Sequence, residues 1–461
     1  MEFLAHRKLI PPSPKPAELN NMEMIVVDGS YLEGGGQIVR LSLCLCSIKQ
    51  KAARIHSIRK GRSVGGLSAQ HLECVKLVAD ICEFSVRYAS LRSTVLEIHP
   101  RDPNKILNLR PSYIADCNTA GSISLILQAS LPSLIFNSSE LSTKDPTSIA
   151  VHGGTNVPFS PPIDHTKCVL LPLLSKMGIS IDLTIVCRGY YPKGGGHVIA
   201  TALSPPGNIL PLNLIHQGKL ISILGLIICN DEAWMLCSAD IRSLCSNLKS
   251  YLSQHRPNVN IDIRMEHNGT QSSTSSQFES SPGALDPSSS CSAYPDVDRK
   301  VRTRDGGRRK QETVHRRHSR SKSSLHLGVQ LIGCTDTGCI LSTNHALDSS
   351  YASQGISIED AVLNLGIQVA DMFLRLLDSG ACVDDHTADQ LLIYCLACPL
   401  QSQLVCGPVT TANSTSSDTS HHLETAAAII NQFEGWDRIR ISEVDNGCRL
   451  VTCLPVQVSV G

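Results

Sequence analysis

The sequence predicts an α/β (α+β) protein with a core of three βαβαββ-type repeats in a pseudo-threefold arrangement and a smaller inserted α/β domain. Three observations favour this class. Segments of helical and strand periodicity recur three times in the order helix, strand, loop, helix, strand, strand. A segment of different pattern, about 204–380, separates the second copy from the third. The 461 residues, 42% hydrophobic and 18% charged, suffice for several domains at roughly 100–200 residues each.

Apolar periodicity and turn residues predict the elements of each copy. The first copy contains helix 37–46, strand 53–58, helix 69–82 and two short strands that end at His99. The second contains helix 122–136, strand 148–152, helix 163–177 and strands 179–187 and 197–203. The third contains helix 388–398, strand 403–406, helix 423–433 and strands 438–444 and 449–455. Equivalent loops of such repeats can converge on one centre.

Composition divides the chain further. The predicted domains are a flexible tail 1–21, repeats one and two in 22–203, the inserted domain 204–380 and repeat three in 381–461. The inserted domain has predicted strands 220–229 and 327–333 and a helix that Ser357 caps and Gly380 ends. Inside it, 268–324 is predicted to be a disordered loop, because Ser, Pro, Gly and charge replace its apolar residues.

Charge and cysteine content narrow the class of protein. Lys+Arg and Asp+Glu both number 41, so net charge argues neither for nor against nucleic acid. No apolar run reaches the ~18 residues of a membrane span, and 1–21 has no signal-peptide core, so we expect no membrane or secreted protein. The 19 cysteines lie mostly alone in apolar segments, as in a reduced intracellular protein. Cys395 and Cys398 are either buried thiols, which the pattern favours, or metal ligands.

The predicted loop 268–324 contains a basic stretch, whose interpretation is open. Its residues 299–322 include eleven Lys and Arg. Its end, 316–322, could be a nuclear import signal or an RNA-contacting arm, and we therefore expect a nuclear location, with the cytoplasm as the alternative. A solvated insertion without a function is the competing interpretation.

Glycine-rich turns and basic residues mark candidate phosphate sites. The sequence DGSYLEGGGQ (28–37) follows a short strand and opens a helix, where glycine N–H groups can approach an anion, and Glu33 could hold a divalent cation there; a plain glycine turn is the alternative. Arg59, Arg62, Gln70 and His71 occupy a later strand-to-helix loop that suits phosphate binding or is a solvated turn. A second glycine-rich turn, 188–196, is explained more simply as a hairpin between strands than as a phosphate site.

The third copy contains a candidate nucleophile. His422 lies where a loop meets a helix N-terminus, a position equivalent to that of His71. A neutral imidazole can attack phosphorus and later leave, so it could carry a nucleotidyl group, although a solvated histidine pair is the simpler interpretation of His421 and His422 alone.

Taken together, the motifs resemble the RNA 3'-terminal phosphate cyclase family. The motifs follow one another in the order DGSYLEGGGQIVR (28–40), RKGRSVGGLSAQHL (59–72), GGTNVPFSPPID (153–164), RGYYPKGGG (188–196), ADQL (388–391) and HLET (422–425). The resemblance covers about 24–267 and 325–460, and favours the true cyclases over the nucleolar cyclase-like proteins. It implies a core like the C-terminal domain of bacterial translation initiation factor three, with an inserted domain.

The resemblance also implies site residues. His422 matches the nucleophile that forms a histidine–AMP bond, and Glu33 matches the residue associated with Mg²⁺ or Mn²⁺. The positions implied to contact ATP or phosphate are Gln37, Arg40, Arg59, Arg62, Gln70, His71, Gln128, Pro158, His386, Asp389 and Gln390. Three departures from the family pattern stand out: Leu32 replaces a glycine, so positive φ is not expected there; His386 replaces a tyrosine; and the loop 407–421 is longer, which leaves His421 as an alternative nucleophile.

Two functions remain as hypotheses. The first is an enzyme that uses ATP to convert an RNA 3'-terminal phosphate to a 2',3'-cyclic phosphodiester. The second is a non-catalytic cyclase-like factor in ribosome assembly, which we expect to lack both the nucleophilic histidine and the Glu-Gly-Gly-Gly-Gln turn. Because both motifs are intact, the sequence favours the enzyme.

Overall fold

Three of the four sheets have the same strand order. The structure, a computed structural model, describes residues 24–101, 107, 109–138, 146–203, 207–267, 325–347, 350–408 and 421–455, and the backbone of 270–273. The first sheet and its helices are β1 (Met24–Asp28), α1 (Gly36–Lys49), β2 (Ala52–His56), α2 (Ala69–Cys82), β3 (Ser85–Arg87) and β4 (Leu96–His99). Its strand order is β1-β2-β4-β3, with β1 parallel to β2 and the other pairs antiparallel.

The second copy repeats this pattern. Its elements are β5 (Ser112–Asp116), α3 (Ile123–Ser138), β6 (Thr147–Gly153), α4 (Ile163–His165), α5 (Leu171–Lys176), β7 (Ile181–Cys187) and β8 (Gly196–Ala202). The strand order β5-β6-β8-β7 again begins with a parallel pair. The helix predicted over 163–177 is interrupted, because Thr166–Leu170 forms a π-helical segment between α4 and α5.

The next segment contains one short strand and a larger sheet. Its elements are β9 (Asn213–Leu214), β10 (Leu220–Cys229), α6 (Asp231–His255), β11 (Asn260–His267), β12 (Thr270–Ser273), β13 (Leu327–Thr335), β14 (Ile340–Ala346) and α7 (Ile358–Asp378). Strands β12-β11-β10-β13-β14 form a five-stranded sheet, against which α6 and α7 pack. The predicted loop 268–324 includes the four residues of β12. Residues 268, 269 and 274–324 and the predicted tail 1–21 lie outside the described residues, and the disorder of the loop and the nuclear location stay predictions.

The third copy completes its sheet with a strand from far back in the chain. Its elements are α8 (Asp385–Cys395), β15 (Ser402–Cys406), α9 (His422–Glu434), β16 (Ile439–Glu443) and β17 (Arg449–Cys453). The order β16-β17-β15-β9, read from its parallel pair, is β9-β15-β17-β16 and matches the other two sheets. β9 comes from the segment predicted as the inserted domain, whose boundaries stay a prediction.

The predicted α/β fold class is confirmed, while the threefold placement of the copies stays a prediction. Helix α1 lies deepest, because α2, α3 and α9 all pack against it and its residues are buried from Gln37 to Ser47. Helix α8 begins three residues before the predicted Ala388, because the Asp384 side chain accepts a hydrogen bond from the N–H of Thr387 (2.8 Å) and caps it. Within the described part of the chain, the helices are too short or too polar to span a bilayer.

The buried side chain of Arg438 connects several elements of the third copy. Its side chain is fully buried, and it donates hydrogen bonds to the carbonyl oxygens of Leu454 (3.0 Å) and Leu396 (2.5 Å). It also forms an ion pair with Glu434 (3.1 Å), which binds Lys49 of α1 as well (2.7 Å). A buried guanidinium is tolerated here because each side of its fork has an acceptor.

We expect Arg438→Ala to lower the free energy of unfolding by about 3–5 kcal/mol, because it leaves two buried carbonyl groups and Glu434 without their partner. Urea denaturation measures the change. The matched control is Arg440→Ala, two residues later. Because this side chain is exposed, its loss should change the free energy of unfolding by about 0.5 kcal/mol or less. Equal losses in the two variants would contradict the role assigned to Arg438.

Candidate active site

The turn between β1 and α1 supplies Glu33 and the N-terminus of α1. Asp28 begins the turn by accepting hydrogen bonds from the N–H (2.9 Å) and hydroxyl (2.7 Å) of Ser30. Leu32 has a φ of 47°, so the expectation that this residue would avoid positive φ is wrong. The left-handed conformation costs a residue with a Cβ atom roughly 1–2 kcal/mol, which the surrounding turn must offset. Gly34 follows with a φ of 55°.

His71 lies against the start of α1 and also caps α2. A Cβ atom on Gly36 would lie 2.0 Å from His71 Nε2, so only glycine allows this approach. The Nδ1 atom of His71 accepts a hydrogen bond from the Ser68 N–H (3.1 Å), and burial lowers the pKa of His71 to about 3. The ring is therefore neutral at pH 7, with its proton on Nε2, facing the glycine turn. Sequence reasoning missed this capping role.

His422 is the first residue of α9 and lies beside Glu33. Its Nδ1 atom is 3.1 Å from Glu33 Oε2 and 3.2 Å from Gln37 Oε1. The Gln37 amide nitrogen donates to Asp389 Oδ2 (2.7 Å) and to the carbonyl oxygen of His422 (3.0 Å). Because the NH₂ group of Gln37 is used in this way, its Oε1 must accept from Nδ1–H, and the lone pair of His422 is on Nε2. His421 is exposed.

The groups below His422 are buried and polar. Burial lowers the pKa of His422, although the neighbouring Glu33 carboxylate acts in the opposite direction. Burial, together with Asp385, raises the pKa of Asp389 well above its usual range. Burial also lowers the pKa of Arg40, whose Nε donates to Gln128 Oε1 (2.9 Å). Burial therefore disfavours the charged forms of His422, Asp389 and Arg40.

Three further predicted residues lie near the reacting groups: Arg62, His386 and Gln390. The structure brings Arg62 to Glu33 (3.2 Å) and the His386 ring to within 6.0 Å of the His422 ring. Gln390 Nε2 donates to the carbonyl oxygen of His386 (2.7 Å).

Three of the predicted residues, Arg59, Gln70 and Pro158, are not joined to His422 in the part of the chain that the structure describes. Arg59 donates to the carbonyl oxygen of Gly66 (3.1 Å). Gln70 accepts from the N–H of Ser122 (2.8 Å), which joins the starts of α2 and α3. Pro158 is exposed on the loop after β6. Among the described residues, these side chains are not connected to His422 by a hydrogen bond or ion pair.

Sequence reasoning missed an ion-pair network behind α9. Arg449 of β17 binds Glu424 of α9 (2.5 Å) and Asp385 of α8. Burial raises the pKa of Asp385 although Arg449 acts against the rise. The network fixes the starts of α8 and α9 relative to each other. The acidic residues at these helix starts could have indicated an ion-pair network, but their partner Arg449 is distant in sequence.

A metal ion at Glu33 would need ligands from outside the protein. The described residues contain no group of three His, Cys, Asp or Glu side chains that could hold a metal ion. Glu33 is a single, partly exposed carboxylate, and Mg²⁺ is often bound by one or two carboxylates together with phosphate oxygens and water. Glu33 therefore fits a metal that arrives with a phosphate ligand. Cys395 and Cys398 are buried, and burial raises the pKa of the Cys395 thiol.

Comparisons with known proteins show the family of this chain. Residues 31–437 match the family described as RNA 3'-terminal phosphate cyclase. A protein of that name from Hyperthermus butylicus is 38% identical over 53% of this chain and 64% of its own length. Those from Staphylothermus marinus and Thermococcus onnurineus are 39% and 42% identical, over 44% and 39% of this chain and 54% and 48% of their own lengths. The chain thus spans about half to two thirds of these relatives, and it belongs to the RNA 3'-terminal phosphate cyclase family.

Proposed function

We propose that the protein uses ATP to convert the 3'-terminal phosphate of an RNA to a 2',3'-cyclic phosphodiester, through a covalent histidine–AMP intermediate on His422. One observation carries the proposal. His422 lies at a helix N-terminus with Nδ1 held by Glu33 and Gln37, so the nucleophilic lone pair is on Nε2. The names of the relatives support cyclisation of an RNA 3'-terminal phosphate.

The first step transfers AMP to the protein. The His422 Nε2 lone pair attacks the α-phosphorus of ATP, an N–P bond forms, and the bond to the β-phosphate oxygen breaks to release pyrophosphate. Positive charge that develops on the ring is stabilised by Glu33 at Nδ1 (3.1 Å). The Nε2–H of His71 and the guanidinium of Arg62 are donors for the phosphate oxygens.

The remaining steps occur on the RNA. An oxygen of the RNA 3'-phosphate attacks the phosphorus of the bound AMP, and the N–P bond breaks to regenerate neutral His422. The adjacent 2'-hydroxyl then attacks the 3'-phosphorus, loses its proton and displaces AMP. Because this ring closure is intramolecular, alignment of the terminal ribose supplies much of the rate. The protein's task is therefore to bind phosphate and exclude water.

We further propose that Glu33 is the protein ligand of Mg²⁺ or Mn²⁺. When bound with ATP, the ion neutralises charge on the phosphate oxygens. The Glu33 carboxylate lies between Arg62 (3.2 Å) and His422 (3.1 Å), so binding a cation would require one of these contacts to loosen. The residues that hold the imidazole in place, Gln37 and Asp389, are unaffected by that change.

We expect His422→Ala to abolish labelling of the protein by ATP carrying radioactive α-phosphate, because Nε2 of His422 is the proposed attachment point. The label on the wild-type protein should be acid-labile, as a phosphoramidate is. His421→Ala is the matched control and should keep the label, since His421 is exposed. Labelling that persists in His422→Ala but is lost in His421→Ala would identify the neighbour as the nucleophile. No label on the wild-type protein would favour the non-catalytic alternative.

We expect labelling to persist as the pH falls through 6.5, because burial lowers the pKa of His422 and the ring stays neutral. In Glu33→Gln the acid limb of the rate profile should move to still lower pH, since the Glu33 carboxylate is what raises this pKa. The rate itself should also fall about tenfold or more. Labelling rates between pH 4.5 and 8 test this, with Glu73→Gln, at a glutamate of α2 that pairs with Lys76, as control. An acid limb that moves upward would contradict the assignment.

A further inference from the structure

A basic surface lies next to the proposed site, and it consists of two loops that form one body. We call residues 57–67 and 88–94 the basic platform. Three backbone hydrogen bonds join the loops, from the N–H of Ile58 to Thr94 (3.0 Å), of Leu67 to Ser93 (2.9 Å) and of Arg92 to Leu67 (2.8 Å). A Cβ atom on Gly66 would lie 2.2 Å from the Arg92 carbonyl oxygen, which shows how closely the loops pack.

The backbone of the platform is strained. Ser57, Arg59, Tyr88 and Arg92 have φ angles of 53°, 53°, 59° and 65°, although each has a side chain. Such residues persist only where the surrounding structure over-determines them, and they concentrate at ligand sites. The strain fixes the directions in which Tyr88 and Arg92 leave the backbone.

The charge of the platform is of one sign. Its two segments contain Arg59, Lys60, Arg62 and Arg92 and not a single carboxylate. Lys60 and Arg92 are exposed and form no ion pair among the described residues. Apart from the Arg62–Glu33 contact, the ion pairs of the described residues leave these cations available, and several cations on one surface indicate an anionic ligand larger than a single phosphate.

The second loop of the platform also contains an exposed aromatic residue, Tyr88. Tyr88 is 57% exposed, although a tyrosine ring usually finds cover. Cations that alternate with exposed aromatic rings are the pattern of single-stranded nucleic-acid sites, where bases stack on rings and phosphates meet Lys or Arg. The phosphates of ATP alone would not use an exposed ring.

The platform begins at the reacting groups. Arg62 of the platform contacts Glu33 (3.2 Å), and Glu33 contacts His422 (3.1 Å). When the terminal phosphate of an RNA reaches His422, the preceding nucleotides must extend away from His422. The platform is a charged surface that begins at this point.

We propose that the basic platform binds the RNA strand immediately 5' of its terminal phosphate, with Lys60 and Arg92 at backbone phosphates and Tyr88 stacked on a base. This inference rests on the proposed function, because it takes RNA as the substrate. It adds residues that neither the sequence motifs nor the contacts of His422 include.

Two 3'-phosphorylated ligands of different length test the platform on the full chain. Fluorescence anisotropy across a salt series compares an RNA decamer with a 3'-phosphorylated mononucleotide, which has no backbone phosphate 5' of the terminal one. We expect Lys60→Ala and Arg92→Gln each to weaken decamer binding severalfold and to reduce the slope of log affinity against log salt by about 0.7 per lost contact. Tyr88→Ala should weaken decamer binding about tenfold, and Tyr88→Phe should restore it.

The controls separate this proposal from the function on which it rests. Binding of the mononucleotide and labelling by α-labelled ATP should stay unchanged in the Lys60, Arg92 and Tyr88 variants, and Lys249→Ala, at an exposed lysine on α6, should change nothing. Arg92→Gly, which relieves the positive φ, serves if Arg92→Gln fails to fold. Unchanged decamer affinity and salt slope would overturn the platform, as would loss of ATP labelling with intact RNA binding, which would assign these cations to ATP. A wild-type protein without label would count against the proposed function instead.

Discussion

The hydrogen bonds of one side chain, Gln37, hold the arrangement on which the rest of the site depends. Gln37 lies in α1, and its amide joins Asp389 of α8 to His422 of α9. Three helices that are distant in sequence thus meet at one buried amide. Since an amide has a fixed donor side and a fixed acceptor side, its two donated bonds determine which nitrogen of His422 has the proton.

This arrangement needs a scaffold that can bury polar groups. Helix α1 is covered by three other helices, and its start brings Gln37 and Arg40 into the interior. Buried charges are costly unless they are paired, and the structure pairs Arg40 with Gln128 and Arg449 with Asp385 and Glu424. The Arg449 ion pairs hold the starts of α8 and α9 together, and the Arg40–Gln128 hydrogen bond joins α1 to α3, so the contacts that stabilise the fold also position the reacting groups.

Local signals in the sequence predicted much of this protein, and the failures have physical reasons. Helix α2 has the predicted bounds because Ser68 caps it and an apolar stripe follows. The start of α8 was missed because an Asp384 cap outweighs the apolar pattern. Positive φ at Leu32 was not expected, because the turn around it, and not the residue, imposes that conformation. Motif order identified the candidate site residues, but no pattern in one chain could show that Arg449 joins two helix starts.

The two histidines of the site, His71 and His422, show how one physical effect yields two chemical roles. Burial lowers the pKa of both His71 and His422, so both rings are neutral in the pH range where a nucleotide is fully charged. What differs is the partner of Nδ1. In His71 a backbone N–H donates to Nδ1, which leaves the proton on Nε2 as a donor towards the glycine turn. In His422 the Gln37 oxygen accepts from Nδ1, with the Glu33 carboxylate 3.1 Å away, which leaves a lone pair on Nε2. A donor for phosphate oxygens and a nucleophile for phosphorus therefore arise from the same residue type, and the difference lies in whether a donor or an acceptor was placed at Nδ1.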